Sequence, residues 1–229
     1  MIVGLLHPGA MGVAIGAGVD GHEVIWASEG RSEASRARAG DFRDLRTLGA
    51  LLDEADVIVS VCPPHAALDV ARACQGFGGL YVDANAVSPM RAREIAALHP
   101  RFVDGGIVGG PDAPTLYLSG EEAEDVAGLF ALDTRVVRDA SAVKMVYAGW
   151  SKGTAALLLA IRDTARHFEI EDEWREAVPE LLDRLRRAET SAKQKAWRWA
   201  GELDEIADTF GAAGQPEGFH RAAGEVFRK

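Results

Sequence analysis

The stretch "MIVGLLHPGAMG", residues 1–12, decides how the rest of the chain is read. Its first half is an apolar run of strand type, and its second half is a glycine-rich turn opening a helix from about Met11. A dinucleotide-binding turn has the pattern G-x-G-x-x-G. Here Gly9 and Gly12 supply the second and third glycines, and His7 stands at the first. Gly9 lets the backbone approach a pyrophosphate, and Gly12 lets the helix pack close to the strand. The helix N-terminus adds partial positive charge. His7-Pro8 makes the tight turn by another route, because Pro8 fixes its own φ and holds His7 extended. His7, Pro8, Gly9, Ala10, Met11 and Gly12 are the candidate pyrophosphate residues, and Gly16 continues a small-residue face on the same helix.

Outward from that turn, short apolar runs alternate with helix-like segments to about residue 138. After "MIVGLL" come "HEVIWA", "FRDL", "ADVIVSVC", "LYVDAN", "RFVDGGIV", "TLYLSG" and "TRVV". Strands alternating with helices predict an α/β fold, a Rossmann-type, mostly parallel sheet covered on both faces. From Ser141 the strand signal stops. "SAVKMVYAGWSKGTAALLLAIRDTARHF" reads as one long helix whose centre, "GTAALLLAI", is expected to be buried all round. Further helices follow from Trp174, with a break near Pro179 and a Gly/Pro stop before a last short helix. The expected organisation is a dinucleotide-binding domain over 1–140 and an all-α domain over 141–229.

Composition narrows the function. Acidic residues outnumber basic ones 35 to 25, a net charge of −10, which argues against general binding to nucleic acid or an anionic membrane. Cys62 and Cys74 fit no zinc spacing and no disulfide framework, so reduced, buried thiols in a cytoplasmic protein are expected, with no metal site. No signal peptide and no membrane span are expected either.

The end of the second strand distinguishes the nicotinamide cofactors. In "IWASEGRSEASRAR", Ser28, Arg31 and Ser32 suit the 2′-phosphate of NADP, whereas Glu29 suits the ribose hydroxyl of NAD. Three candidates against one favour NADP over NAD.

"GLLHPGAMG", "FVDGGIVGG" and "SAVKMVYAGWSKG", in that order and spacing, resemble the β-hydroxyacid dehydrogenase superfamily, which includes 6-phosphogluconate dehydrogenases and imine reductases. "VDANAVSP" and "GWSKGTAALLLA" resemble its branch with a short helical C-terminal domain of unassigned function. The resemblance implies that Cys62, Pro63 and Pro64 lie beside the cofactor and that Asn85 lies near the nicotinamide. It further implies that Asp104–Gly110, with Gly109 and Gly110, bind substrate, and that Lys144 is the catalytic lysine. It also implies a homodimer built by the helical domain. This chain departs from the pattern D-x-P-V-S-G-G at Gly106 and Val108, and has Ala148 where the family has Asn.

Lys144 begins an apolar helix, where an ammonium must pair, reach water or change its protonation. Such a lysine serves as general acid or base, although a lysine snorkelling to water has the same sequence. Ser151 falls on the same helical face, and Lys152 is displaced by most of a right angle. Both are candidate substrate contacts. Asn85 is a candidate for the substrate oxygen or the nicotinamide amide, and His7 for acid–base work. Trp197, Leu203 and Phe210 are expected to fill the helical core. The functional expectation is an NAD(P)-dependent oxidoreductase interconverting a hydroxyl and a carbonyl on a small acidic substrate. An imine reductase using NADPH and a non-enzymatic dinucleotide sensor are the alternatives.

Overall fold

The computed structural model describes residues 1–228. Contacts divide the chain into two compact units, Met1–Lys144 and Met145–Lys229. The division falls just inside the long helix, because the helix's first turn packs on the sheet.

In the first unit each apolar run forms a strand, with ends that differ by one or two residues from the run. The order is β1 (Ile2–Leu5), α1 (Ala10–Ala17), β2 (Glu23–Trp26), α2 (Glu33–Ala39), β3 (Arg43–Asp44), α3 (Leu48–Glu54), β4 (Val57–Ser60) and α4 (Pro64–Ala73). There follow β5 (Leu80–Asp83), α5 (Pro89–Ala96), β6 (Phe102–Val108), β7 (Thr115–Ser119), α6 (Ala123–Ala127), β8 (Asp133–Val136) and the start of α7 (Ala140–His167). The strands make one sheet in the order β3-β2-β1-β4-β5-β6-β7-β8. Pairing is parallel except between β6 and β7. The β6–β7 connection is too short for a crossover, so that pair is antiparallel.

Alternation along the strands feeds two cores. Val57 and Val59 pack with Val3, Ile15 and Val82 on one face. Ile58 packs with Ile25, Tyr81 and Ile95 on the other. β1 pairs with β2 on one side and β4 on the other, so the strand order reverses between β1 and β4. A crevice outside the carboxyl ends of the strands at such a reversal is where open α/β sheets bind ligands.

The second unit holds the rest of α7, then α8 (Glu171–Ala177), a 3-10 turn at Pro179–Leu181, α9 (Leu182–Ala212) and α10 (Gly218–Phe227). Two expectations fail here. The "GTAALLLAI" segment is not buried all round, since Leu157 is 49% exposed. Trp197 is 69% exposed and lies outside the core, whereas Trp199, Leu203 and Ile206 are buried. At 100° per residue, Trp197 points away from the stripe that those three define. Among the described residues, no helix is long and apolar enough to cross a membrane.

Candidate cofactor and active site

α1 and α4 begin on either side of the reversal. α1 has Gly9 as N-cap, with no side-chain cap and no acidic residue in its first turn. α4 likewise starts on Pro63 with no side-chain cap, and Pro64 is its first residue. These ends present backbone N–H groups without side-chain partners, the arrangement that receives an anion. A Cβ on Gly9 would meet nothing within 4 Å, so the approach is open. A Cβ on Gly12 would lie 2.1 Å from the His7 carbonyl oxygen, so only glycine lets the helix come this close. The missing first glycine is replaced by a bond from the Gly9 amide to the His7 carbonyl, at 2.8 Å, across Pro8. Ala10 and Met11 form the first turn of α1.

Beside this turn is a cavity of about 110 Å³ lined by Leu6, His7, Glu29, Arg31, Val70 and Cys74, among others. Two of its polar atoms are buried and lack a partner, Nδ1 of His7 and Nε of Arg31. Burial, then the Arg31 charge, hold His7 down at about 4, so its imidazole is neutral near pH 7. Burial also lowers the Arg31 guanidinium. A half-buried guanidinium whose buried Nε–H has no partner fits a phosphate-bearing ligand.

The rest of the expected phosphate clamp is already engaged. Ser28 is buried and donates its amide to Asp44 Oδ1 at 3.1 Å. The Ser32 hydroxyl caps α2, accepting from the Ser35 amide at 3.2 Å. Of the three residues, Arg31 alone keeps a buried donor without a partner.

Asn85 is also committed to the chain. Its Oδ1 accepts from the Cys62 amide at 2.5 Å, and its Nδ2 donates to Ser60 Oγ at 3.1 Å and to Asp83. The side chain is 2% exposed, so it straps β4 to β5 and shapes the Cys62–Pro64 loop from beneath. Burial, then the Asp83 charge, push the Cys62 thiol up to about 12, where it is inert. Cys74 is also free, and burial pushes it up to about 11.

Lys144 stands over the end of β6, where its Nζ donates to the Ile107 carbonyl at 2.7 Å. Gly106 makes this possible: a Cβ there would lie 2.7 Å from the Ala140 oxygen and 2.9 Å from Lys144 Cβ. The glycine that departs from the family pattern therefore lets the first turn of α7 settle on the strand. Gly109 follows with φ +97, and Gly110 is exposed.

Asp104 and its neighbours were missed as positioning residues in the sequence. Asp104 is buried in β6 and accepts from the Ser141 hydroxyl at 2.6 Å, the Ser141 amide at 2.8 Å and the Ser119 hydroxyl at 3.2 Å. Ser119 also accepts from the Ala140 amide, and Asp139 from the Ala142 amide. The first turn carrying Lys144 is thus pinned by three side chains. The Asp139 cap was readable from "DASAV" in the sequence; the contacts of Asp104, 37 positions from Ser141, were not.

Ser151 and Lys152 belong to the second unit. Ser151 Oγ donates to the Ala148 carbonyl of its own helix at 3.3 Å. Lys152 forms an ion pair with Glu202 at 2.7 Å, with side chains 12% and 8% exposed. Ala148 is fully buried.

Two family models match parts of the chain. The family described as Saccharopine dehydrogenase NADP binding domain matches residues 14–109, and that described as Domain of unknown function (DUF1932) matches residues 165–229. An uncharacterized 28.5 kDa protein of Methanothermus fervidus is 30% identical over 170 residues, 69% of this chain and 68% of its own. A conserved protein of unknown function, whose structure reveals similarity with 3-hydroxyacid dehydrogenases, is 25% identical with a TM-score of 0.73, covering 100% of this chain and 96% of that one. Mycobacterium tuberculosis 3-hydroxyisobutyrate dehydrogenase shares the fold at 14% identity and a TM-score of 0.70, over 99% of this chain and 92% of its own. An Aspergillus terreus reductive aminase in complex with NADPH shares it at 17% and 0.59, over 99% and 92%. The chain belongs to the family of the Methanothermus protein, within the β-hydroxyacid and 6-phosphogluconate dehydrogenase superfamily, in the branch with a short helical C-terminal domain of unassigned function.

Proposed function

We propose that this chain is an NADP-preferring oxidoreductase that interconverts a hydroxyl and a carbonyl on a small acidic substrate. The observation that carries the reading is the uncapped start of α1 at the sheet's reversal, beside the buried, unpartnered Nε of Arg31. The α1 amides and Gly9 would hold a pyrophosphate, and Arg31 would hold the 2′-phosphate. The bound nicotinamide would supply or accept the hydride. Lys144 Nζ, fixed by the Ile107 carbonyl, would carry the proton that leaves or joins the substrate oxygen. Gly109 and Gly110 would leave room for substrate beyond β6.

One observation favours imine reduction as the second reading. Ala148, at the position where the superfamily has an amide side chain, is fully buried and offers no polar contact. The lysine at 144 supports the first reading.

Titration with NADPH and NADH, followed by tryptophan fluorescence, tests the site. Tighter binding of NADPH is expected; binding of neither nucleotide overturns the proposal. Lys144→Met is expected to lower turnover by about 100-fold or more while leaving nucleotide affinity unchanged.

We also infer a homodimer. Val146, Leu157 and Phe168 recur at 11-residue intervals, close to three helical turns, and are 58%, 49% and 65% exposed. Such an apolar line suits a second copy of the chain. A monomer by light scattering at micromolar concentration would overturn this.

A further inference from the structure

The helical unit contains a cleft of about 580 Å³, within the size range of small-molecule sites. Its walls include Tyr147, Trp150 and Trp199, and its polar side carries Lys152, Arg184 and Arg187. Among the described residues no acidic side chain lines it, although the chain as a whole has 35 acids to 25 bases.

The cations are not equivalent. Lys152 is held by Glu202, which fixes the ammonium and neutralises it. Arg184 and Arg187 lie one turn apart on α9, and among the described residues neither pairs with a carboxylate; Arg187 donates to the Asp183 backbone carbonyl. Arg186, which does not line the cleft, pairs with the Asp183 carboxylate. The Asp183 carboxylate is therefore taken by the arginine outside the cleft, and among the described residues the two arginines that line it have no carboxylate partner. Guanidinium groups recognise carboxylates through paired donors, and aromatic walls select a planar apolar body.

We propose that this cleft binds a small aryl carboxylate, with Arg184 and Arg187 on the carboxylate and Trp150 and Trp199 against the ring. The site is defined within the helical unit and does not depend on the nucleotide reading.

Calorimetric titration of the full chain without nucleotide tests it, using 2-naphthoate as probe. Neutral 2-naphthamide and non-aromatic cyclohexanecarboxylate are the controls. Naphthoate should bind at least tenfold tighter than either. Arg184→Gln/Arg187→Gln should weaken naphthoate about tenfold and leave naphthamide unchanged, whereas Trp150→Ala should weaken both. Both arginines are exposed, and an unchanged melting temperature would establish that the double variant is folded. Equal binding of naphthoate and naphthamide, or naphthoate affinity unaffected by the double variant, would overturn the proposal. So would failure of naphthoate to bind together with loss of a dimer in the double variant, which would make the cleft a subunit interface.

Discussion

Helices in the first unit begin in two different ways. α2, α3 and α5 start on Ser32, Thr47 and Ser88, each of which accepts an amide three residues ahead. α7 starts among carboxylates and a serine, with Asp139, Asp104 and Ser119 taking its first amides. α1 and α4 start on Gly9 and Pro63 and carry no such cap. α6 is also uncapped, but Glu124 and Asp125 in its first turn repel an anion. A side-chain cap stabilises a helix by about 0.5–2 kcal/mol, so leaving one out sacrifices stability. Here it is left out where the sheet order reverses, the place at which open α/β sheets receive ligands.

The contrast can be broken most severely at Gly12. Gly12→Ala sets a Cβ against the His7 carbonyl oxygen and forces strand and helix apart. We expect loss of nucleotide binding together with a destabilisation of about 2 kcal/mol or more, read by titration and denaturant melts. Gly9→Asp separates the two properties. Gly9 has extended backbone angles and open space for a side chain. An aspartate there should cap α1 and raise stability by about 0.5–1 kcal/mol. The same carboxylate should occupy the anion site and reduce NADPH affinity by at least about tenfold. If stability and affinity fall together, the uncapped end is merely a fold requirement.

The carboxyl end of β5 has its own signature in pH. Burial, then the Asp104 charge, push Asp83 up to about 8 from an ordinary 3.8. The folded chain therefore keeps a proton on Asp83 through a range in which the unfolded chain has lost it. This contribution to stability is fully present below 3.8 and is lost as pH rises through about 8. Asp83→Asn should remove that loss, so it should gain on the parent protein in melting temperature between pH 5 and 8, measured by circular dichroism. The smallest effect is expected at Thr47→Ala, which should cost about 1 kcal/mol and leave nucleotide affinity unchanged.

Much of this design is legible in the residues. The eight strands, the turn at Gly9–Gly12 and the change of character near Ser141 all come from short-range patterns: alternation, breakers and caps. Less legible was the use of each polar side chain. Ser28, Ser32 and Asn85 have the chemistry of ligand contacts, yet they bond to Asp44, to the Ser35 amide, and to Ser60, Cys62 and Asp83. Trp197 and Trp199 are two residues apart in one helix, and only their packing separates the exposed ring from the buried one.

By itself the sequence determined the fold class and the place of the glycine turn, because strand alternation and glycine spacing act over a few residues. Only the tertiary structure decided that Arg31 retains a buried N–H without a partner, that Gly106 admits Lys144 to the edge of β6, and that Asp104 pins the helix carrying that lysine. Those contacts join residues far apart in the chain, and the burial that gives them their energy exists only once the sheet has assembled.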